Sequence, residues 1–328
     1  MHRREFIKAV GVTACLQPTH VLEGPFRIGF LGSQEREVEY RSASSTLLDL
    51  KWVAGKEADA LIVASRLERR ALDALVVLQS GRHVLIEPPI AMSYPEFDRM
   101  MEEANRRDLR IGSAYPLRYA RQCVLARERL PSALGGKIGS VRIEAYGPEN
   151  VACGYLGAST HLVDLVRWLV GKPAGSVAAP PDQAAKADVP AGSLHLVVSF
   201  DGFDVTYDCF PGTVVPEGWR MTLEGEHTGL QLDGSGHLRE RHEAGGWTTQ
   251  LVVPVSDSLL SLVSDFVRAC QSEEEPEANA VDGMAGVGLL AGTVVSSREG
   301  HPVTLLHSHF DFELDRSYER ALYVKGKD

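Results

Sequence analysis

The sequence predicts a two-part α/β fold: a short parallel sheet wrapped by helices, then a domain built on a large, mostly antiparallel sheet. Three observations predict it. Between residues 26 and 113, apolar runs of strand length alternate with helix-length amphipathic stretches in the order β-α-β-α-β-α-β. Those runs are apolar on both faces, as buried parallel strands are. After about residue 117 the pattern turns to alternating apolar and polar segments, the mark of half-exposed antiparallel strands.

The chain has 328 residues, enough for roughly two domains of ~150 residues. With 44% hydrophobic and 24% charged residues it can bury a substantial core. The net charge of −10, without a basic stripe, argues against nucleic acid and anionic membrane as partners. Small molecules or other proteins are expected instead. Cys15, Cys123, Cys153, Cys209 and Cys270 are widely and irregularly spaced, with no C-x-x-C, so they read as free thiols rather than a zinc site or redox pair.

Residues 1–24 stand apart. "HRREFIKAVGVTACL" puts Arg3-Arg4 ahead of Phe6-Ile7-Lys8 and a modest apolar run, similar to a twin-arginine export signal. "VTAC", residues 12–15, is lipobox-like, with Cys15 as the residue that would be acylated. A periplasmic or exported protein is expected, lipid anchoring at Cys15 or an ordinary cytoplasmic start being the alternatives. No other apolar run approaches the ~20 residues needed to cross a bilayer.

The elements follow in order. "FRIGFLG", 26–32, is a buried strand running into a turn. "SSTLLDLKWVAGK" has apolar residues at 47, 48, 50, 53 and 54 behind a serine, which predicts a helix over 45–54. "DALIVAS", 59–65, is a strand buried on both faces. "LERRALDALVVLQSG" is a helix stopped by Gly81, "HVLIEPP" a strand, "SYPEFDRMMEEANRRD" a capped helix and "RIGSAYP" the next strand. "ARQCVLARERL" is helical, "KIGSVRIEAYGP" a strand, and "THLVDLVRWLVG" an amphipathic helix closed by Gly171. "AAPPDQAAKADVPAG" reads as a loop. "SLHLVVSFDG", "FDVTYDCFPG" and "WRMTLEGEHTGLQLDG" read as antiparallel strands. "DSLLSLVSDFVRACQ" and "AVDGMAGVGLLAGTVVSSREG" are late helices, the second ending at Gly300.

Taken in this order, "DALIVAS" with "LQSGRHVLIEPPIAM", "GKIGSVR", "GYLGASTHLVDLVRWLVGKP", "MTLEGEHTGLQLDG" and "AVDGMAGVGLLAGTVVSSREGHPVTL" resemble the Gfo/Idh/MocA family, the glucose–fructose oxidoreductase and inositol dehydrogenase group. The likeness covers about residues 26–306. It implies a Rossmann-type dinucleotide-binding domain over 25–117 and a C-terminal α/β domain over 118–328. It also implies NAD or NADP as cofactor and hydride transfer at a sugar or polyol carbon.

The sequence departs from the family at the places that carry this chemistry. A dinucleotide fingerprint needs glycines for its tight turn and for close approach of backbone N–H groups to the diphosphate. Gly29 and Gly32 remain, but Gln34, Glu35, Arg36 and Glu37 fill the rest, and Glu35 and Glu37 bring negative charge. Only 26 residues separate Gly32 from Asp59, whereas one βαβ unit needs ~30. Outer strands 2 and 3 of the sheet are therefore expected to be largely missing, with "EREVEY" at most a short replacement strand. The lysine of the family's Glu-Lys-Pro is Pro88, the aspartate of Asp-x-Gly-x-His is Gly157, and the Thr-Pro turn is Ser65-Arg66, with Arg70 where a histidine is usual.

The residues that could still act are few. His161, with Asp164 one turn on, is the candidate catalytic pair. Gly29, Gly32, Ser65 and Glu87 are the candidate cofactor positions, and Arg118, Tyr119 and Tyr155 the candidate substrate contacts, Tyr115 being a further aromatic. His301, His307 and His309 lack a carboxylate or cysteine at ligand spacing, so no metal site is expected. The expectation is an exported protein of this fold with degraded NAD(P) binding, holding a carbohydrate or polyol-like ligand or doing cofactor-free proton chemistry. The alternatives are an active NAD(P)-dependent sugar or polyol dehydrogenase and a non-catalytic assembly subunit that pairs, with itself or a partner, through its open sheet.

Overall fold

The computed structural model describes residues 25–134, 137–147, 152–181, 194–211, 218–242, 245–252, 258–272 and 274–305, with backbone alone at 152–158 and 211. The export-signal and lipobox residues, Cys15, His307 and His309 lie outside the described residues, as do the side chains of Cys153 and Tyr155.

The first sheet is entirely parallel and has five strands in the order β2-β1-β3-β4-β5: β1 Phe26–Gly32, β2 Leu50–Trp52, β3 Ala60–Ala64, β4 His83–Ile86 and β5 Ile111–Ser113. Helices α1 Gln34–Ala43, α2 Leu67–Gln79 and α3 Tyr94–Arg107 connect them. Ile62, Val63, Val84, Leu85 and Ile86 have no exposed surface, as strands covered on both faces must. One face packs on α2 and α3 through Ala74, Leu78 and Met100. The other packs on Tyr40 of α1 and on Leu262, Val263 and Phe266 of a late helix, α6 Ser258–Gln271. The chain after the second sheet thus returns to complete the first.

The second sheet has nine strands in the order β13-β12-β11-β10-β6-β9-β8-β7-β14. These are β6 Ser140–Gly147, β7 Ala174–Ala178, β8 Leu194–Phe200, β9 Phe203–Pro211, β10 Trp219–Glu224, β11 Thr228–Asp233, β12 His237–His242, β13 Thr248–Val252 and β14 Val303–Thr304. All neighbours are antiparallel except β6 and β9. Period-two burial gives this sheet one core face, where Val141, Ile143, Val205, Tyr207, Met221 and Leu223 pack against α4 Arg121–Ala133 and α5 Ala152–Val170. The predicted two-part α/β fold is the one observed.

The compressed outer edge differs in detail from its expectation. The stretch expected to be helix over 45–54 is a turn followed by β2. Leu50 and Trp52 are partly buried and Lys51 exposed, a two-residue period, while Leu48 is 95% exposed and so belongs to no apolar helix face. "EREVEY" is not a strand but most of α1. Ser33 caps that helix, accepting a hydrogen bond from the Arg36 N–H, and a Glu37–Arg41 pair braces it. One outer strand therefore survives as three residues, and among the described residues none lies beyond it.

The last long helix, α7 Ala280–Glu299, is 20 residues long and apolar enough to cross a membrane by length and composition, contrary to the expectation that no such run exists. Of its 18-residue apolar window 61% is buried, the helix running between the two sheets' helices. Its glycines admit neighbours closely: a Cβ on Gly286 would lie 2.5 Å from the Tyr115 hydroxyl, and one on Gly288 2.6 Å from that of Tyr94. Asn279 starts the helix with a capping box and Gly300, at φ 72°, ends it.

Candidate functional site

In an open parallel sheet, ligands bind outside the carboxyl ends of the strands, where the strand order reverses. Here that point lies between β1 and β3, since β2 is added on one side of β1 and β3, β4 and β5 on the other. The residues placed around it are Ser33 and α1 after β1, Ser65 after β3, and Glu87-Pro88-Pro89 after β4, with a cis peptide between the two prolines.

Arg36, in the first turn of α1, crosses this crevice. Its Nε donates to Glu87 Oε1 at 2.9 Å, its Nη2 donates to the same oxygen, and its Nη1 pairs with Glu39. The guanidinium carbon lies 5.4 Å from the centre of the Tyr40 ring, and the Tyr40 hydroxyl donates to Glu87 Oε1 at 3.3 Å. Arg70 of α2 ties the neighbouring strand ends together. Its Nε and Nη2 donate to the Ser65 carbonyl at 3.1 and 2.9 Å, and its Nη1 donates to the carbonyls of Glu87 and Pro89 at 3.0 and 3.1 Å.

The two glycines meet packing demands of their own. A Cβ on Gly32 would come within 2.7 Å of the Ala64 carbonyl, and one on Gly29 would lie 3.3 Å from Ala58 and Gly55. The turn after Gly32 is a single residue, Ser33, so α1 begins at Gln34 and the first-turn carboxylates of Glu35 and Glu37 already complement its positive end. On the adenosine side, β2 stops at Trp52, which pairs with Ile28. β1 runs four residues further, to Gly32, so the end of β2 falls short of the crevice by about 13 Å at ~3.3 Å per residue.

His161 of α5 is partly buried, its ring edge-on to Tyr115 with centroids 5.4 Å apart. Burial pushes its imidazole down to about 4, against the opposing pull of Glu87, so it is neutral at pH 7 and able to accept a hydrogen bond. Asp164 does not orient it. That carboxylate, 2% exposed, takes hydrogen bonds from Arg118 Nε at 2.7 Å, Arg118 Nη2 at 2.5 Å and Arg167 at 3.1 Å. Arg118 also donates to Asp282, in the first turn of α7, and to the Glu277 carbonyl on the chain leading into it. Tyr119 donates to Asp265 of α6 at 2.8 Å.

Of the residues singled out from the sequence, the fold therefore gathers Glu87, Ser65 and Gly32 at one crevice, with His161 in electrostatic reach of Glu87. It draws Arg118, Asp164 and Tyr119 into contacts that join the two parts of the chain. Sequence reasoning missed the roles of Arg36 and Tyr40; their only local signal is a basic residue three positions after a helix cap. Among the described residues no group of histidines, cysteines and carboxylates could hold a metal.

No protein-family model matches the chain. A myo-inositol 2-dehydrogenase of Thermotoga maritima is 23% identical over 122 residues, which spans 35% of this chain and 36% of that enzyme. Among solved structures, the WlbA dehydrogenase of Bordetella pertussis, in complex with NADH and UDP-GlcNAcA, superposes with a TM-score of 0.70 at 17% identity over 87% of this chain and 99% of that one. An Agrobacterium radiobacter oxidoreductase in complex with NAD+, L-tartaric acid and magnesium gives 0.72 at 13% identity over 85% and 98%. A Pseudomonas syringae oxidoreductase gives 0.74 at 12% identity over 87% and 100%. Over 85–87% of its length the chain has the fold of these oxidoreductases, so the architecture that the motif resemblance implied is the one observed.

Proposed function

We propose that this chain is an oxidoreductase-fold protein that has given up dinucleotide-dependent hydride transfer and binds a small carbohydrate or polyol-like ligand between its two sheets. One observation carries the first half: Arg36 and Glu87 join across the crevice where a dinucleotide would lie. The residues there do not fit such a cofactor. The approach to the α1 N-terminus carries Gln34, Glu35 and Glu37, and β2 ends too low to offer an acidic residue to a ribose. Pro88, in the place of the family's lysine, has no proton to exchange.

The ligand class rests on resemblance. The similar proteins include one named for inositol and one bound to a sugar nucleotide. His161, neutral beside Tyr115, is the group proposed to meet the ligand, as a hydrogen-bond acceptor toward a hydroxyl. Export through the twin-arginine-like residues 1–24 belongs to this reading too, since that start precedes the first strand directly. A panel of polyols, sugars and sugar acids screened by thermal shift tests the reading. A stabilising ligand whose effect disappears in His161→Gln is expected; stabilisation by NAD(P) and by no panel member would oppose it.

A second reading is an assembly role. It is favoured by the outer face of the nine-stranded sheet, where Tyr146 stacks on Phe210 at 5.5 Å beside a His195–Asp208 pair. Sedimentation of the purified chain separates the two, since a lone monomer would count against it.

A further inference from the structure

Glu87 sits at the carboxyl end of β4 with a side chain only 16% exposed. Tyr40, 1% exposed, presents its ring beneath the Arg36 guanidinium and its hydroxyl to the same carboxylate oxygen. Glu39 closes the third side. A carboxylate beside an aromatic face is the arrangement that receives organic cations in general, through charge and ring quadrupole together. In this chain the cation is supplied from within. The Arg36 side chain keeps 39% of its surface in solvent, so its head group can leave without the helix moving.

We propose that Arg36 is an autoinhibitory strap, an internal ligand seated on Glu87 and Tyr40, and that the seat accepts a small planar organic cation of the guanidinium, amidinium or pyridinium class when the strap lifts. The proposal rests on the reading that no dinucleotide fills this crevice, and it adds what does fill it. The seat selects planar cations for a geometric reason. Two Arg36 nitrogens share Glu87 Oε1 while the guanidinium carbon stands 5.4 Å from the Tyr40 ring centre, so a flat, extended cation can meet both partners at once, whereas a spherical cation would satisfy one at a time. It also discriminates against phosphates, because two carboxylates, Glu87 and Glu39, face it.

The test is chemical rescue in the full-length chain. Arg36→Ala leaves Glu87 and Tyr40 without their cation, and is expected to melt at a lower temperature than the wild type. Millimolar methylguanidinium chloride, compared with sodium chloride at equal concentration, should raise the melting temperature of Arg36→Ala saturably, leave the wild type nearly unchanged, and do nothing for Arg36→Ala/Glu87→Gln. Arg36→Met, which keeps the aliphatic stem, serves if the alanine variant does not fold. The wild type supplies an independent arm: methylguanidinium should speed hydrogen exchange in α1 more than sodium chloride does. Equal responses of variant and wild type, a response that survives loss of Glu87, or unchanged exchange in α1 would overturn the proposal. A calorimetric signal with NAD, by contrast, would strike the underlying reading and not the rescue.

Discussion

Arg118 and Asp164 are 46 residues apart in sequence and joined by two hydrogen bonds, 2.7 and 2.5 Å long, in a place almost sealed from water. Arg118 follows the last strand of the first sheet and Asp164 lies on the helix that underlies the second. Asp282 and Arg167 extend the pair into a four-residue cluster. A buried pair of this kind stabilises little relative to a well-packed apolar substitute, but breaking one half leaves a bare charge. Arg118→Met is therefore expected to lose about 3–5 kcal/mol, read as a lower urea midpoint. Arg118→Met/Asp164→Leu should lose clearly less than the single variant. A loss in the double variant as large as the sum of both singles would remove the charge-burial explanation.

Gly286 and Tyr115 make a second pair that can be read by a cycle of variants. The Tyr115 hydroxyl is buried and has no hydrogen-bond partner among the described residues, and it stands 2.5 Å from where a Gly286 Cβ would be. Gly286→Ala should cost about 1–3 kcal/mol through overpacking. Tyr115→Phe alone should be neutral or slightly stabilising, because no hydrogen bond is lost. Combined, the two changes should recover much of the alanine penalty. Purely additive stabilities would mean that the helix shifts to make room instead.

Two histidines tie stability to pH. Burial, the larger cause, holds both His83 and His161 down at about 4, and the His83 Nδ1 accepts a hydrogen bond from the Arg110 N–H at 2.9 Å. In the unfolded chain both regain an ordinary value near ~6.5. Between those values the unfolded chain binds more protons, so stability falls as pH drops from about 6.5 toward 4 and these residues contribute no slope above. Each adds up to about 1.4 kcal/mol per pH unit within that window. His83→Gln, whose amide oxygen can still accept from Arg110, should flatten the slope of stability against pH; an unchanged slope would mean that His83 titrates normally in the fold.

The parts of the fold that were legible in the sequence are those whose burial is dense and local. β3 and β4 are unbroken apolar runs, and α3 carries a serine cap. The outer edge was not legible, because α1 buries only Tyr40 and its other apolar residues, Val38 and Ala43, form no stripe with it to reveal the helix. β2 is too short for its two-residue period to stand out against the accidental spacing of Leu47, Leu48 and Leu50. At the site, Glu87 and His161 were marked by the motifs around them. The partners that decide what those residues can do were not, since Arg36 and Glu87 are 51 positions apart and an ion pair across that distance leaves no trace in local sequence.

The central claim is that the crevice at the β1–β3 reversal is closed to dinucleotides by its own side chains. Calorimetric titration of the purified full-length chain with NAD and with NADP tests it most directly. No saturable heat is expected from either nucleotide up to millimolar concentration. Stoichiometric binding of either one in the low micromolar range would contradict it.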